Sequence, residues 1–411
     1  MNLHNMKHLF TLFLIFLTFF SCRTNDENEL KLGIWRAELQ VSPNETLPFI
    51  FEVTSPQSLK IFNADEVILV DDITYSNDTI VFRTPVFEGY IEAIANEGIL
   101  KGNFIKESLD RVVPFSAEFG KKERFTSETN KALQDVSGNW EVVFSPDAEE
   151  DRYIAKGVFE QYGDKLTGTF RTTTGDYRFL EGIMDGNMMK LSTFDGAHAF
   201  LFTAEVKDDV MHGMFYSGNH WKEPFTAKRN EAFELPDAND LTFLKDGYET
   251  FEFSFPDAEG DMVSLNDKRF ENKVVVVQIM GTWCPNCLDE SKYYSEYYNI
   301  KENNNVEFVA LAFEYAKTED KAFQSIKRLK ESLGISYPVL LAQYGTSDKA
   351  KAQEKLPMLN HILSYPTSIF IDKHGKVRKI HTGFNGPATG EKYTEFKEEF
   401  TGFVDELVNE N

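Results

Sequence analysis

The sequence predicts two kinds of structure in one chain: an all-β region over residues 30–230 and an α/β domain over 231–411. Short apolar runs separated by Gly, Asn and Asp fill the first region, which is typical of a β sandwich or barrel. Strand-like and helix-like patterns alternate in the second, which is typical of an α/β domain. Cys284 and Cys287 stand in the second region, where a buried strand gives way to a helix.

The composition indicates a globular protein with an acidic surface. The chain has 411 residues, which corresponds to about two or three domains. Hydrophobic residues make up 42% of it and include 37 phenylalanines, enough to form extensive cores. The formal net charge of −23 argues against binding to nucleic acid or to anionic lipid by charge.

The cysteine count limits the possible chemistry. Only three cysteines occur, at positions 22, 284 and 287. That number excludes a fold held together by several disulfides. It also excludes a zinc site of four cysteines, because the ligands do not exist, and we predict no metal site.

The first 22 residues have the pattern of an export signal. Lys7 supplies positive charge, and residues 9–20 form a 12-residue apolar run that only two threonines interrupt. Such a run is too short to span a bilayer comfortably but suits a secretory signal. With Ser21-Cys22 directly after it, the segment resembles a bacterial lipoprotein signal, although Phe19 replaces the leucine usual three positions before the cysteine.

This resemblance implies that Cys22 is lipidated and anchors the exported protein to a membrane of the bacterial cell envelope, facing the periplasm or the cell surface. An ordinary cleaved signal with an incidental cysteine is the alternative. Residues 23–29 are polar and predict a short solvated tether. In either case we expect an oxidising compartment, where a disulfide between Cys284 and Cys287 can form and persist.

The all-β region divides into two related lobes, predicted over 30–120 and 136–230 with a polar linker at 121–135. Similar residues recur at similar places in both, which indicates internal duplication. The matching pairs are Gly33-Ile34-Trp35 with Gly138-Asn139-Trp140, Gly98-Ile99-Leu100-Lys101-Gly102-Asn103-Phe104 with Asp209-Val210-Met211-His212-Gly213-Met214-Phe215, and Pro114-Phe115-Ser116-Ala117 with Pro224-Phe225-Thr226-Ala227.

Three histidines, His198, His212 and His220, lie in the second lobe. Their spacing does not place ligands on one helix face, although strands could bring them together. Nothing in the pattern requires a metal, and we predict structural roles for them. Barrels can also enclose a ligand cavity, which no residue pattern identifies here.

The elements of the α/β domain follow from its apolar patterns and end signals. The nearly continuous apolar run at 274–279 predicts a central strand buried on both faces. Thr318 and Gly334 fit the two ends of a helix. In order, we predict strand 274–279, helix 284–298, strand 307–313, helix 318–333, strand 338–341, a strand after Pro366, hairpin strand 376–380 and helix 391–410.

The dithiol stands at the beginning of the first of these helices. Pro285 fits the first turn, where its missing N–H is no loss. Unpaired backbone N–H groups and the helix dipole favour a thiolate at Cys284. Cys287 follows one turn later, within bridging reach. We therefore predict that Cys284 is the exposed nucleophile and that Cys287 resolves a mixed disulfide.

Three motifs carry a family resemblance. They are a lead-in that includes Asp257, Gly260 and Val263-Ser264-Leu265, then G-T-W-C-P-N-C-x-D-E at 281–290, and Y-P-T-S-I-F-I-D-K-H-G at 365–375. With these motifs, residues from about 250 to 411 resemble the thioredoxin-fold thiol–disulfide oxidoreductases of the TlpA/ResA type. The resemblance implies a thioredoxin-like fold for 231–411.

The resemblance also implies a substrate-docking surface. It makes Pro366 a cis proline that faces the dithiol and leaves the backbone of the preceding residue available to a substrate peptide. A trans proline that opens an edge strand is the alternative. The docking residues implied are Trp283, Pro285, Tyr365, Pro366 and Thr367.

Two positions depart from thioredoxin itself. Gln278 replaces its buried aspartate and cannot take a proton. Glu290, three residues after Cys287, occupies a position where ResA-type members carry a glutamate. A partly buried carboxyl there could accept the Cys287 proton, and a solvated helix glutamate is the alternative. The dipeptide Pro285-Asn286 differs from thioredoxin's Gly-Pro, which leaves the direction of electron flow open.

These observations predict an exported, lipid-anchored thiol–disulfide oxidoreductase that needs no organic cofactor or metal, and the resemblance favours reduction of protein disulfides over their formation. The resemblance implies a membrane-embedded thiol electron donor. A thiol peroxidase is one alternative, but Val277 and Met280 occupy the positions where its motif needs proline. In another, the β lobes bind a ligand or partner and the redox domain is accessory.

Overall fold

The computed structural model describes residues 30–128, 131–300 and 305–410. The predicted signal at 1–22, with Cys22, and the tether at 23–29 lie outside the described residues. Within the described ranges, no helix is both long and apolar enough to cross a membrane.

The first lobe is a nine-stranded antiparallel sheet. Side chains of its first strand alternate in burial: Trp35, Ala37 and Leu39 are buried in the core, and the residues between them are only partly buried. The strand order β4-β3-β2-β1-β9-β8-β7-β6-β5 leaves the sheet open between β4 and β5. The strands are β1 (Gly33–Ser42), β2 (Glu45–Ser55), β3 (Ser58–Asn63), β4 (Glu66–Val70), β5 (Asp72–Ser76), β6 (Thr79–Arg83), β7 (Tyr90–Asn96), β8 (Ile99–Lys106) and β9 (Arg111–Phe119).

The second lobe closes into a barrel. Its strand order is β11-β10-β18-β17-β16-β15-β14-β12-β13, and pairing of β11 with β12 joins the two sides. Closure removes the exposed edges that an open sheet would leave. The strands are β10 (Gly138–Phe144), β11 (Tyr153–Tyr162), β12 (Lys165–Thr172), β13 (Gly175–Asp176), β14 (Leu180–Asp185), β15 (Met188–Phe194), β16 (Ala199–Lys207), β17 (Val210–Ser217) and β18 (Trp221–Arg229).

The two lobes share local details as well as topology. In each, the first tryptophan donates its indole N–H to the carbonyl four residues earlier, Trp35 to Lys31 and Trp140 to Val136, both at 2.9 Å. The matched glycines Gly102 and Gly213 sit where a Cβ would lie 1.8 Å from a backbone oxygen or 2.3 Å from a phenylalanine ring. Only glycine fits such close approaches.

The C-terminal domain is built on a five-stranded mixed sheet of order β23-β22-β21-β24-β25. The three central strands are buried along their whole length, and the prediction of a buried central strand at 274–279 is confirmed. A short hairpin, β19 (Ser254–Pro256) and β20 (Met262–Ser264), precedes it. The other elements are β21 (Val274–Met280), α1 (Pro285–Ile300), β22 (Val306–Phe313), α2 (Glu319–Leu333), β23 (Val339–Gln343), α3 (Lys349–Lys355), β24 (Thr367–Ile371), β25 (Val377–Thr382) and α4 (Glu391–Asn409), with 3₁₀ turns at Glu107–Leu109 and Pro387–Thr389.

The lobes pack directly on the C-terminal domain. Val86 and Phe87 from the first lobe and Ala197 from the second are buried in the same hydrophobic core as the central sheet. Arg328 of α2 donates to the carbonyl of Phe87 at 3.1 Å, and Ser364 donates to the carbonyl of Thr174 at 2.8 Å. The dithiol therefore lies close to the β lobes.

Candidate active site

The two cysteines lie at the first turn of α1, directly beyond the end of the central strand β21. Both are free thiols; the side chain of Cys284 is 8% exposed and that of Cys287 is fully buried. The backbone N–H of Cys287 donates to Cys284 Sγ at 3.4 Å, a contact that favours negative charge on that sulfur. The prediction of an exposed Cys284 is therefore wrong: the second lobe and the Tyr365 segment cover it, and it is only the less buried of the two thiols.

The segment before β24 faces this sulfur. The peptide bond between Tyr365 and Pro366 is cis, as the resemblance implied. Cys284 Sγ donates to the Tyr365 carbonyl oxygen at 3.4 Å, and the Trp283 ring meets the Tyr365 ring edge-on with centroids 5.6 Å apart. Pro285 and Thr367 are also buried, so Trp283 is the partly exposed member of the predicted docking set.

Glu290 is fully buried one turn below the dithiol. Its carboxylate accepts hydrogen bonds from Gln278 Nε2 at 2.8 Å, Ser368 Oγ at 3.0 Å and Tyr294 OH at 3.2 Å. Burial raises the pKa of Glu290 to about 7, against these hydrogen bonds, which lower it. A carboxyl with such a pKa can hold or release a proton near neutral pH.

Burial also raises the pKa of the Cys287 thiol well above its usual range, and hydrogen bonding with Cys284 and the nearby Glu290 charge add to the effect. The second thiol therefore remains protonated until a base removes the proton. Gln278 cannot be that base, but it donates to Glu290 and accepts from Ser291 Oγ at 3.0 Å. Its role in the structure is to fix the carboxyl.

The similarity to known proteins lies in the part of the chain that holds this site. The Redoxin family model matches residues 244–395. Residues 244–395 form a Redoxin domain. The chain is 27% identical over 149 residues to the thiol-disulfide oxidoreductase ResA of Halalkalibacterium halodurans, a segment that is 35% of this chain and 72% of that protein. It is 30% identical over 132 residues to ResA of Geobacillus thermodenitrificans, 32% of this chain and 66% of that protein.

A solved thiol-disulfide oxidoreductase from Bacteroides fragilis aligns with a TM-score of 0.27 and 21% identity, over 36% of this chain and 99% of that one. The match to the Redoxin model and the similarity to the ResA proteins show that this domain is homologous to thiol–disulfide oxidoreductases. The predicted fold class is confirmed: a thioredoxin-like C-terminal domain that follows barrel-like β sheets.

A second buried carboxyl of the Redoxin domain, Glu314, was not predicted. It accepts from the backbone N–H of Thr282 at 2.8 Å and from its hydroxyl at 2.7 Å, and so holds the turn that leads to Cys284. Burial raises the pKa of Glu314 to about 7. One signal in the sequence could have indicated Glu314: it directly follows the apolar strand β22, and functional residues often lie at the carboxyl ends of parallel strands.

The second lobe covers one side of the dithiol through residues 172–178, here called the covering segment. Asn286, between the cysteines, donates to the Asp176 carbonyl at 3.1 Å, and the Asp176 carboxylate accepts from Gly386 N at 2.6 Å. Gly175 has a φ of +140° and approaches so closely that a Cβ would lie 2.0 Å from Asn286 Nδ2. Sequence reasoning missed these contacts.

Arg178 ends the covering segment and joins all three parts of the molecule. Its buried guanidinium contacts Glu66 of the first lobe, Asp195 of the second at 3.2 Å, and Asp289 of α1. It also donates to the carbonyl of Pro285, inside the dithiol motif, at 3.3 Å. One cation thus faces three carboxylates, and burial raises the pKa of Asp289 to about 7 despite its contact with Arg178.

The histidines of the second lobe are divided in the structure. His198 and His220 line one cavity, whereas His212 does not. No group of three His, Cys, Asp or Glu side chains with metal-binding geometry occurs among the described residues.

Proposed function

We propose that the protein reduces disulfides by dithiol–disulfide exchange at Cys284 and Cys287. The observation that carries this proposal is the arrangement at the start of α1. The Cys284 sulfur accepts a backbone N–H at 3.4 Å and faces the Tyr365 carbonyl, while Cys287 is buried behind it. Such a pair suits attack by the first sulfur and resolution by the second.

The exchange proceeds in two steps. The Cys284 thiolate attacks one sulfur of a substrate disulfide; a sulfur–sulfur bond forms to the substrate, the substrate bond breaks, and one substrate thiolate leaves. The Cys287 sulfur, once deprotonated, then attacks Cys284 Sγ and releases the second substrate thiolate. The substrate gains two electrons, and the enzyme is left with a Cys284–Cys287 disulfide.

Glu290 serves the second step in this proposal. The resolving sulfur must lose a proton whose pKa burial has raised. Glu290, with a pKa of about 7, accepts that proton, and Gln278 and Ser368 hold the carboxyl in place. The docking residues Trp283, Pro285, Tyr365, Pro366 and Thr367 present the substrate backbone to Cys284.

The cellular setting belongs to the same proposal. The apolar run at 9–20 and Cys22 support export and lipid anchoring at the bacterial cell envelope. The substrates are proteins with disulfides. The oxidised dithiol is reduced again by a membrane-embedded thiol donor, as the family resemblance implies, and no organic cofactor or metal takes part.

Two variants test the assignment of the thiols. We expect Cys284→Ser to abolish disulfide reduction and Cys287→Ser to accumulate a mixed disulfide, visible by mass spectrometry. Turnover that persists in Cys287→Ser, with nothing captured, would overturn the assignment. A reduction potential near about −250 mV or lower supports a reductase, whereas a value near about −120 mV would identify a disulfide donor.

A further inference from the structure

A cavity of about 290 Å³ lies where the two lobes meet the Redoxin domain. Each part contributes side chains to its wall, so the cavity exists only in the assembled chain. The residues that matter here are Lys106 and Arg111 of the first lobe, His198 and His220 of the second, and Trp283 and Tyr315 of the Redoxin domain.

The charge of this cavity is opposite to that of the molecule. The chain carries a net charge of −23, yet the cavity wall contains a lysine, an arginine and two histidines and no carboxylate. Lys106 Nζ donates to the Ala197 carbonyl at 3.1 Å. Among the described residues, neither Lys106 nor Arg111 has a carboxylate within ion-pair distance.

Burial explains why these two cations favour an anion. Desolvation lowers the pKa of Lys106 to about 8 and that of Arg111 below its usual range. The charges of Glu88 and Asp195 act on Lys106 in the opposite direction, but Asp195 is already in contact with Arg178 and His198. A ligand carboxylate would supply the counter-charge that the cavity wall lacks.

The cavity is next to the reactive sulfur. Trp283 forms part of its wall and precedes Cys284 in the chain, and its indole is fixed by a 2.9 Å hydrogen bond to the Phe313 carbonyl. The Trp283 ring also meets Tyr365, whose carbonyl lies 3.4 Å from Cys284 Sγ. A disulfide at Cys284 can thus place a neighbouring group in the cavity.

We propose that this cavity is a substrate subsite for a carboxylate-bearing group close to the disulfide, held by Lys106 and Arg111 against the Trp283 and Tyr315 rings. The inference rests on the proposed disulfide reduction and adds the charge of the substrate to it. The carboxylate belongs either to a low-mass peptide disulfide or to an acidic side chain beside a cystine in a protein.

The test compares substrates that differ in charge. Pre-reduced protein is mixed with excess glutathione disulfide, which is anionic, or with bis(2-hydroxyethyl) disulfide, which is neutral, and kcat/KM is measured for each in single turnovers. We expect Lys106→Met and Arg111→Met each to lower the anionic-to-neutral ratio about tenfold or more, mainly through the concentration at half-saturation. Lys101→Met is the matched control, because this exposed lysine lies on the same strand β8 outside the cavity.

Two further arms complete the test. Cystine peptides flanked by Glu or by Gln represent a protein substrate, whereas glutathione disulfide represents a low-mass one. If the cavity variants lose the preference for the anionic member of either pair, the subsite is supported, and the pair affected identifies the source of the carboxylate. If the variants fail to fold, competition by S-methylglutathione against the neutral disulfide in the native protein decides instead, with inhibition expected.

Absence of inhibition by S-methylglutathione, or an unchanged anionic-to-neutral ratio in folded variants, would overturn the subsite alone. Failure of the native protein to reduce any disulfide would overturn the proposed function.

Discussion

At the scale of single residues, the site combines a carboxyl and an amide where thioredoxin has one aspartate. Gln278 occupies the strand position and cannot titrate, but its amide donates to Glu290, which approaches from the helix. From the sequence alone, Gln278 is a position that cannot take a proton, and Glu290 is predicted to accept the proton instead. The structure shows that the two residues form one hydrogen-bonded unit, which also includes Ser368 and Tyr294.

Glu290→Gln should slow the second chemical step. The amide cannot accept the Cys287 proton, so resolution of the mixed disulfide should fall about 100-fold. Pre-reduced protein mixed with 5,5′-dithiobis(2-nitrobenzoic acid) releases one chromophore when Cys284 attacks and another when Cys287 resolves, so the two rates separate. Glu223→Gln is the control, since Glu223 is a buried carboxyl of the second lobe. An unchanged ratio of the two rates in Glu290→Gln would rule out the proton-accepting role.

The raised pKa of Glu290 also predicts how stability depends on pH. The folded protein holds this proton up to about pH 7, whereas the unfolded chain loses it near 4.5. The stabilising contribution is therefore complete below about pH 4.5 and lost as the pH rises through about 7. Glu314 and Asp289, whose pKa values are also raised to about 7 by burial, act in the same direction.

We expect the free energy of unfolding to decrease between about pH 4.5 and pH 7, by about 2–4 kcal/mol for Glu290 alone. Urea denaturation at several pH values measures this, and the Glu290→Gln variant should show a flatter profile. Equal slopes for the native protein and the variant would mean that Glu290 is ionised throughout this range.

At the scale of elements, the residue pattern predicts the features that depend on neighbouring positions in the chain, such as strand burial and helix ends. The buried run of β21 is predicted from its apolar residues. Thr318 accepts from Lys321 N, and Gly334 adopts a left-handed conformation at the other end of α2, as predicted. Helix α3 was missed because Lys349–Lys355 is short and mostly polar. Its Asp348 cap was a visible but weak signal.

The covering segment shows why the rest could not be predicted. Asp176 and Arg178 are more than a hundred positions before Asn286 and Asp289, which they contact. Such contacts depend on how the second lobe packs against the Redoxin domain, and the hydrophobic periodicity of a sequence carries no information on that packing. The same reason applies to Glu314 and Thr282, which meet only because β22 lies beside β21 in the sheet.

Arg178→Met should destabilise the protein strongly. The change leaves Glu66, Asp195 and Asp289 near one another with no cation, and loss of a buried partner typically costs about 3–5 kcal/mol. Arg152→Met, at an exposed position of the same lobe, should change stability by less than about 0.5 kcal/mol. Urea denaturation of the full chain measures both, and similar values for the two variants would show that the buried cluster contributes little.

At the scale of the whole molecule, the lobes restrict access to the dithiol. The covering segment occupies the Asn286 side, and the cavity between the lobes lies on the Trp283 side. We expect a small disulfide to approach along the cavity, and a protein substrate to reach Cys284 when the second lobe separates from the Redoxin domain. The strength of docking should then determine how fast large reagents reach Cys284 relative to small ones.

Gly175→Val should weaken this docking. The new side chain meets Asn286 and the backbone at φ +140° is unfavourable for valine, a strain of about 1–3 kcal/mol that shifts the docked state about 5–150-fold. Alkylation of Cys284 by a 5 kDa polyethylene-glycol maleimide should accelerate, relative to iodoacetamide. Gly163→Val is the matched control: it also has positive φ in the second lobe, but a Cβ there meets nothing within 4 Å. Equal acceleration in both would assign the effect to loosening of the barrel instead of undocking.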